Sequence, residues 1–478
     1  MALHRNFING EWLEGKGARD NVNPSDITDI IGEYAQADRA QTEVAIAAAR
    51  AAQPGWAATT PQQKADALEF VGVELLARKD EIGRLLSREE GKPLANGIAE
   101  TMRAAQIFKF FAQEALRTEG VAVPSVRPGV DVLITREPLG VVGLICPWNF
   151  PVAIPAWKIA PELAFGNGVV FKPADLVPGS AWALAEIISR AGLPKGVFNL
   201  VMGRGTVVGQ TMLESRDVNA ISFTGSVETG SRVAMACAAR GAKFQLEMGG
   251  KNPLVVLDDA NLDLAVAAAL DGAFYQTGQR CTASSRLIVQ AGIHDAFVER
   301  MVEGMKKLKV DHALKDGTVI GPVVDESQMA QDERYIQVAR EDGGELAWGG
   351  ERLNRDTKGH YLSPALFVGT TNAMRINREE VFGPVAAVIK VNSYDEALSV
   401  ANDTSFGLSS GIFTGSLKHA TDFRKKSAAG MVMVNLPTAG VDYHVPFGGR
   451  KGSSYGAREQ GRHAVEFFTA IKTAYTLA

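Results

Sequence analysis

Apolar positions along the chain keep two rhythms. Over "TEVAIAAARAAQPGWAA" and "QQKADALEFVGVELLARKDEIGRLLSREEGK" they recur three and four residues apart, which predicts amphipathic helices in the N-terminal quarter. Ahead of them, "FINGEW" and "ARDNVNPSD" look like a short strand pair with polar turns. Past them, "VDVLITREPLGVVGLICPW" advances in β-branched bursts broken by Pro138, Gly140 and Gly143, the pattern of strands and turns. Strand and helix then alternate: "NGVVFKPA", "GSAWALAEIISRAGL", "GVFNLVMG", "GTVVGQTMLES", "AISFTG", "SVETGSRVAMACAARG". Such alternation predicts right-handed crossovers and a parallel, doubly wound α/β sheet. A second alternating run goes from "KNPLVVLDDA" through "SSRLIVQ", "PALFVG" and "AAVIKV" to "GMVMVNLP". Two α/β units predict a cleft between them as the natural ligand site. The tail "HAVEFFTAIKTAYTLA" ends on a β-prone run; with "VDVLITREP" it either pairs with another subunit or closes its own subunit's sheet.

Composition narrows the class. A chain of 478 residues is too long for one core, and 46% hydrophobic with 22% charged residues is a globular balance. A net charge of -4 lacks the positive field that nucleic-acid binders use, so no nucleic-acid partner is expected. Cys146, Cys237 and Cys281 cannot build a disulfide framework, which points to a reducing compartment. Nothing approaches the ~18 apolar residues of a membrane span, and the start has no signal-peptide core, so the expected place is the cytoplasm, off the membrane. Seven histidines lie scattered without i, i+4 spacing, so no metal site is expected.

Against that background a few residues are chemically conspicuous. Lys172 follows the strand "GVVF", where doubly wound sheets hold ligands; it reaches a ribose or phosphate there, or is a solvated strand-end lysine. Gly225 and Gly230 in "FTGSVETG" suit a phosphate-binding turn, although one Gly-x-x-x-x-Gly also fits an ordinary strand-to-helix turn. Glu247 in "LEMGGKNP" sits between Leu246 and Met248 beside two mobile glycines; it is a desolvated base or a surface carboxylate. Asn149 in "CPWNFP" is an amide donor fixed between prolines, as an oxyanion hole requires. Cys281 lies in the small polar turn "FYQTGQRCTASSR", where Arg280 and local amide dipoles are expected to favour its thiolate. Cys237 reads as a small packing residue, and Cys146 as packing rather than nucleophile.

Taken together, "PWNFP", "FKPAD", "FTGS", "LEMGGKNP", "GQRC" and "EEVFGP" resemble the aldehyde dehydrogenase superfamily, in the same order and over essentially the whole chain. The resemblance implies a Rossmann-type dinucleotide domain (1–125 and 140–247), an α/β catalytic domain (248–440) and a small β oligomerisation arm (126–139 and 461–478), assembled as a homodimer or homotetramer. It implies Cys281 as nucleophile, Glu247 as general base, and Asn149 with the Cys281 backbone N–H as oxyanion hole. For the cofactor it implies Pro147 and Trp148 near the dinucleotide, Lys172 at the adenine ribose, Thr224, Gly225 and Ser226 at the pyrophosphate, and Glu380 with Phe382 at the nicotinamide ribose. Glu459 in "AREQG" resembles a second glutamate that shuttles protons.

"GQRCTASSRLIV" and "VPFGGRKGSSYG" are similar to bacterial 2-oxoglutarate semialdehyde (2,5-dioxopentanoate) dehydrogenases, which implies that semialdehyde as substrate. Arg280 then either binds its distal carboxylate or tunes the thiol. Phe150, Ile154 and Trp157 line an apolar tunnel that fits succinate semialdehyde, aromatic or aliphatic aldehydes as well. Asp175 near the adenine ribose would repel a 2′-phosphate and favour NAD, while Lys172 alone tolerates NADP, so the cofactor is NAD or NADP. From another class, a cysteine esterase or acyltransferase without a redox step would need a histidine beside the thiol, and no motif supplies one.

Overall fold

A computed structural model describes residues 3–477. The N-terminal helices form where local chemistry starts them. Thr60 caps Pro61–Ala77 reciprocally with Gln63, and Pro61 opens the first turn where its missing N–H costs nothing. That helix buries Leu68, Val71 and Leu75, and helix Leu94–Ala115 buries Ile107, Phe108 and Phe111 in the same core. "FINGEW" folds back on itself as a hairpin of Asn6–Ile8 and Glu11–Leu13. The strand Gly17–Asn23 instead pairs with Asp26–Gln36, so the two polar segments do not pair with each other as the sequence suggested.

The first large sheet has eight strands, and five of them are parallel. From one side these run Lys243–Glu247, Ala220–Thr224, Val141–Ile145, Gly168–Lys172 and Phe198–Leu200. Chain order reverses between Val141–Ile145 and Ala220–Thr224, and that switch point opens a crevice at the carboxyl ends. The register aligns Thr224 with Glu247, Phe223 with Ile145, and Ile145 with Lys172. The segments that follow these strands therefore leave the sheet at one level.

The second large sheet orders Glu345–Trp348, Ala365–Thr370, Val385–Val391, Ser284–Gln290, Asn252–Val256, Ser409–Phe413 and Met431–Val434, all parallel but the first. Cys281 lies just ahead of Ser284–Gln290, at that sheet's amino edge. Helix Ala153–Ala164 packs on helix Leu94–Ala115 and on strands Val141–Ile145 and Gly168–Lys172 of the first sheet, and every residue in it is buried, Lys158 and Glu162 included. A helix with no solvent face belongs to a core.

The tail strand Thr469–Leu477 pairs antiparallel with Val130–Pro138 over nine residues, and Val121–Pro124 completes a separate three-stranded sheet. The tail and Val130–Pro138 thus pair with each other in a sheet separate from the two large ones. Leu133, Ile471, Tyr475 and Leu477 remain exposed on it. No helix among the described residues is long and apolar enough to cross a membrane, and no cluster of three His, Cys, Asp or Glu among them could hold a metal.

Candidate active site

Cys281 borders two cavities at once. The loop that delivers it holds Gln276, Thr277 and Gly278 in succession at φ 53°, 60° and 65°. Such left-handed backbone costs non-glycine residues about 1–2 kcal/mol each and persists only where surroundings enforce it. Here they do. The Asn149 side-chain amide donates to the Gln279 carbonyl at 3.0 Å, and the Val324 N–H to the Gln279 side chain at 3.0 Å. Asn252 donates to the Cys281 carbonyl at 2.8 Å, and the Thr438 hydroxyl to the Thr282 carbonyl at 2.7 Å. Gly250 is required beneath Cys281, since a Cβ there would stand 2.5 Å from the Cys281 carbonyl oxygen.

The first cavity, about 270 Å³, gathers the residues expected around a dinucleotide. Pro147, Trp148 and Asn149 come from one side of the switch point and Thr224, Gly225 and Ser226 from the other, with Glu380 and Phe382 opposite. Ser226 caps the 13-residue helix Val227–Ala239, whose first-turn amides point outward, and the buried Thr224 hydroxyl has no partner. Glu380 accepts from the Gly250 N–H at 2.8 Å, and burial raises its carboxyl to about 7. Phe382 has a φ of 63° and meets Trp148 edge-on at 5.3 Å. Open amides, an orphaned hydroxyl and a carboxylate at a switch-point crevice fit a dinucleotide's phosphates and ribose hydroxyls.

Two expected cofactor residues stand outside this cavity. Lys172 is buried below it and donates to the Pro173 carbonyl at 2.8 Å; burial lowers its pKa. Asp175 lines an outer cavity and pairs with Arg19 at 3.3 Å, while Lys16 and Arg204 line the same space. Lys16, Arg19 and Arg204 thus share that space with Asp38 and Asp175.

The second cavity, about 370 Å³, lies on the other side of the sulfur, with Phe150, Ile154 and Trp157 on its wall. Phe447 stacks on Trp157 at 5.4 Å. Arg280 borders it too, but its guanidinium turns to helix Leu262–Phe274, bonding the Asp271 and Gly272 carbonyls and meeting the Asp271 carboxylate at 3.3 Å. It ties the nucleophile's loop to that helix end, so the structure does not place it as a carboxylate clamp.

Electrostatics around the thiol also depart from expectation. Cys281 touches cavity space yet lies deep, and burial, with Glu247 and Glu380 next, pushes its pKa up to about 12. Arg280 spends its charge on Asp271, so it does not hold a thiolate. Glu247 lines neither cavity: it is buried, accepts from the Ser454 hydroxyl at 2.5 Å, and leaves Oε1 unpaired. Burial first, then the Glu459 charge, raises its pKa well above the ordinary carboxylate range. Glu459 is bound to the Lys158 ammonium, which also donates to Ser222 at 2.7 Å. Sequence reasoning missed Lys158 and Ser454; a Lys and Glu four apart in the apolar run "AIPAWKIAPELA" was the available signal. Lys92 was missed as well, and it donates to the Asn149 carbonyl and to Glu100, both at 2.7 Å.

The fold and this paired-cavity thiol are those of an aldehyde dehydrogenase: the chain matches the aldehyde dehydrogenase family over residues 12–474 and belongs to it. Among characterised relatives it is similar to the alpha-ketoglutaric semialdehyde dehydrogenase of Bacillus subtilis, 44% identical over 98% of this chain and 97% of that one. The alpha-ketoglutarate semialdehyde dehydrogenase of Haloferax volcanii is 39% identical over 98% of both chains. Among solved structures, betaine aldehyde dehydrogenase from Staphylococcus aureus in complex with NAD+ superposes with a TM-score of 0.97 at 33% identity, covering 99% of this chain and 95% of that one.

Proposed function

We propose that this chain oxidises 2-oxoglutarate semialdehyde to 2-oxoglutarate with NAD or NADP. The observation that carries the reading is the sulfur of Cys281 standing where a dinucleotide-shaped crevice and an aromatic-walled cavity meet. The relatives named for the same semialdehyde supply the substrate.

The Cys281 sulfur attacks the aldehyde carbon while the thiol proton leaves to water, giving a thiohemiacetal oxyanion whose hydride loss leaves the thioester. The Asn149 side-chain amide and the Cys281 N–H hold the developing oxyanion, the amide first releasing the Gln279 carbonyl. Bound nicotinamide supplies the hydride acceptor. Thr224, Gly225 and Ser226 hold its pyrophosphate, Pro147 and Trp148 pack beside it, Lys172 serves the adenine ribose, and Glu380 with Phe382 the nicotinamide ribose. Glu247, swinging from Ser454 through the space that Gly448 leaves by lacking a Cβ, then takes a proton from water as it attacks the thioester. Glu459 and Lys158 lead that proton away.

We assign 1–125 and 140–247 to the dinucleotide domain, 248–440 to the catalytic domain, and 126–139 with 461–478 to an arm whose exposed edge strand and apolar residues pair subunits. Three free thiols suit a reducing cytoplasm.

Aldehydes of matched length, with and without a distal carboxylate, assayed with both cofactors at ~340 nm, test the reading. Preferred oxidation of the carboxylated member supports it. Ester cleavage without dinucleotide reduction for any aldehyde would replace it with an acyl hydrolase.

A further inference from the structure

The 370 Å³ cavity holds a charged group that these steps leave unused. Arg103 arrives from helix Leu94–Ala115, its guanidinium 6.0 Å over the Trp157 ring and one nitrogen donating to the Gln460 side-chain oxygen at 2.9 Å. Among the described residues no carboxylate comes within ion-pairing distance of it. Glu100, one turn earlier, is spent on Lys92 and on the amides of Val152 and Ala153 at 2.9 and 3.1 Å. Asp442 stands exposed at the rim.

Three neighbouring donors are also buried without acceptors: Arg103 Nε, Gln460 Nε2 and Trp157 Nε1. A half-buried cation without a counter-charge and buried donors without acceptors are costly unless a partner arrives. Gln460 itself is buried with φ 58°, a strained backbone that directs its side chain at Arg103. An Arg103 guanidinium without a carboxylate partner on the wall of a cavity that ends at Cys281, with unmet donors and a strained Gln460 packed behind it, describes a seat for an anion.

We infer that Arg103 binds the distal carboxylate of the aldehyde, with Gln460 as its positioning residue. This rests on the semialdehyde reading above. The substrate's carboxylate and 2-oxo oxygens are acceptors for the unpaired N–H groups. The inference moves the clamp from Arg280, whose two terminal nitrogens are held by Asp271 and Gly272, to a residue 177 positions earlier in the chain.

Arg103→Met and Arg103→Lys, assayed with 2-oxoglutarate semialdehyde and with pentanal, test it. The carboxylated-to-uncharged ratio of kcat/KM should fall about 10- to 100-fold in the Met variant, mostly through KM, with the Lys variant recovering part. An unchanged ratio, whether from no loss or from equal loss on both aldehydes, overturns the assignment. A second measurement needs no turnover: glutarate should protect Cys281 from iodoacetamide in the parent and not in Arg103→Met. Protection that survives the substitution overturns it as well. A parent enzyme indifferent to the distal carboxylate would sink the semialdehyde reading instead, and the glutarate result would then decide the role of Arg103 by itself.

Discussion

Replacing Glu247 by Gln separates acylation from hydrolysis. The structure allows the exchange with little disturbance: the Ser454 hydroxyl can still donate to the amide oxygen at the 2.5 Å site, and the oxygen that becomes NH2 has no partner to lose. Gln has the shape of Glu, so the tight contact at Gly448, where a Cβ would stand 2.7 Å from Oε1, is kept. Stability should change by less than about 1 kcal/mol. What disappears is the base. A positioned general base is worth ~10²–10⁴ in rate, about 3–5 kcal/mol of barrier, and that is the expected fall in steady turnover. In a stopped-flow experiment the variant should release one equivalent of reduced cofactor per site and then stall, leaving an acyl group on Cys281 visible by mass. In the parent, hydrolysis should quicken as pH rises, because the base form exists only above a folded pKa that burial has raised. The variant should lose that rise. Multiple turnovers at the parent rate would remove Glu247 from the mechanism.

Arg280→Ala should lower activity equally on charged and uncharged aldehydes and cost about 1.5–3 kcal/mol of stability, since its bonds hold the loop to Asp271 and Gly272; a loss confined to carboxylated substrates would restore it as the clamp. Alkylation of Cys281 in the cofactor-free enzyme should still be accelerating at pH 10, given a thiol pushed up to about 12, and a plateau near pH 8.5 would refute that. Gly249→Ala puts a Cβ 2.0 Å from a Glu380 oxygen, so dinucleotide Kd by calorimetry should rise about tenfold, the equivalent of ~1.4 kcal/mol; unchanged affinity would show that Glu380 does not hold the ribose. Glu162 is buried without a well-formed hydrogen bond, and burial raises its pKa far above the unfolded value of about 4.3. The parent therefore loses stability as pH rises from there toward the folded pKa. Glu162→Met should stabilise by about 1–3 kcal/mol at pH 8 and less near pH 4, and equal effects at both would contradict the linkage.

The alternating run from "NGVVFKPA" onward announced the switch-point sheet, and short motifs pointed to Cys281, Asn149 and the Thr224–Ser226 turn, which the structure gathers around one crevice. These are local signals, which is why they were legible. Helix Ala153–Ala164 went unread because Pro155 and Pro161 disguise it; Pro155 falls in the first turn, where no donor is needed. The pairing of Asp175 with Arg19 was not legible, because the two lie 156 residues apart in the chain. The thiolate expected at Cys281 rested on its neighbour Arg280, whereas the fold turns that cation to Asp271 and brings Glu247 and Glu380 toward the sulfur. Arg103 sits in an ordinary amphipathic helix, and only tertiary packing beside Trp157 and Gln460 marks it out.

The most direct test is Cys281→Ala. Dinucleotide affinity should stay within about threefold of the parent, since the Thr224 and Glu380 walls remain, while aldehyde oxidation falls below about 1%. Residual turnover of a tenth of the parent rate or more, or acyl label recovered on Cys146, would contradict a sulfur at position 281 as the reacting atom.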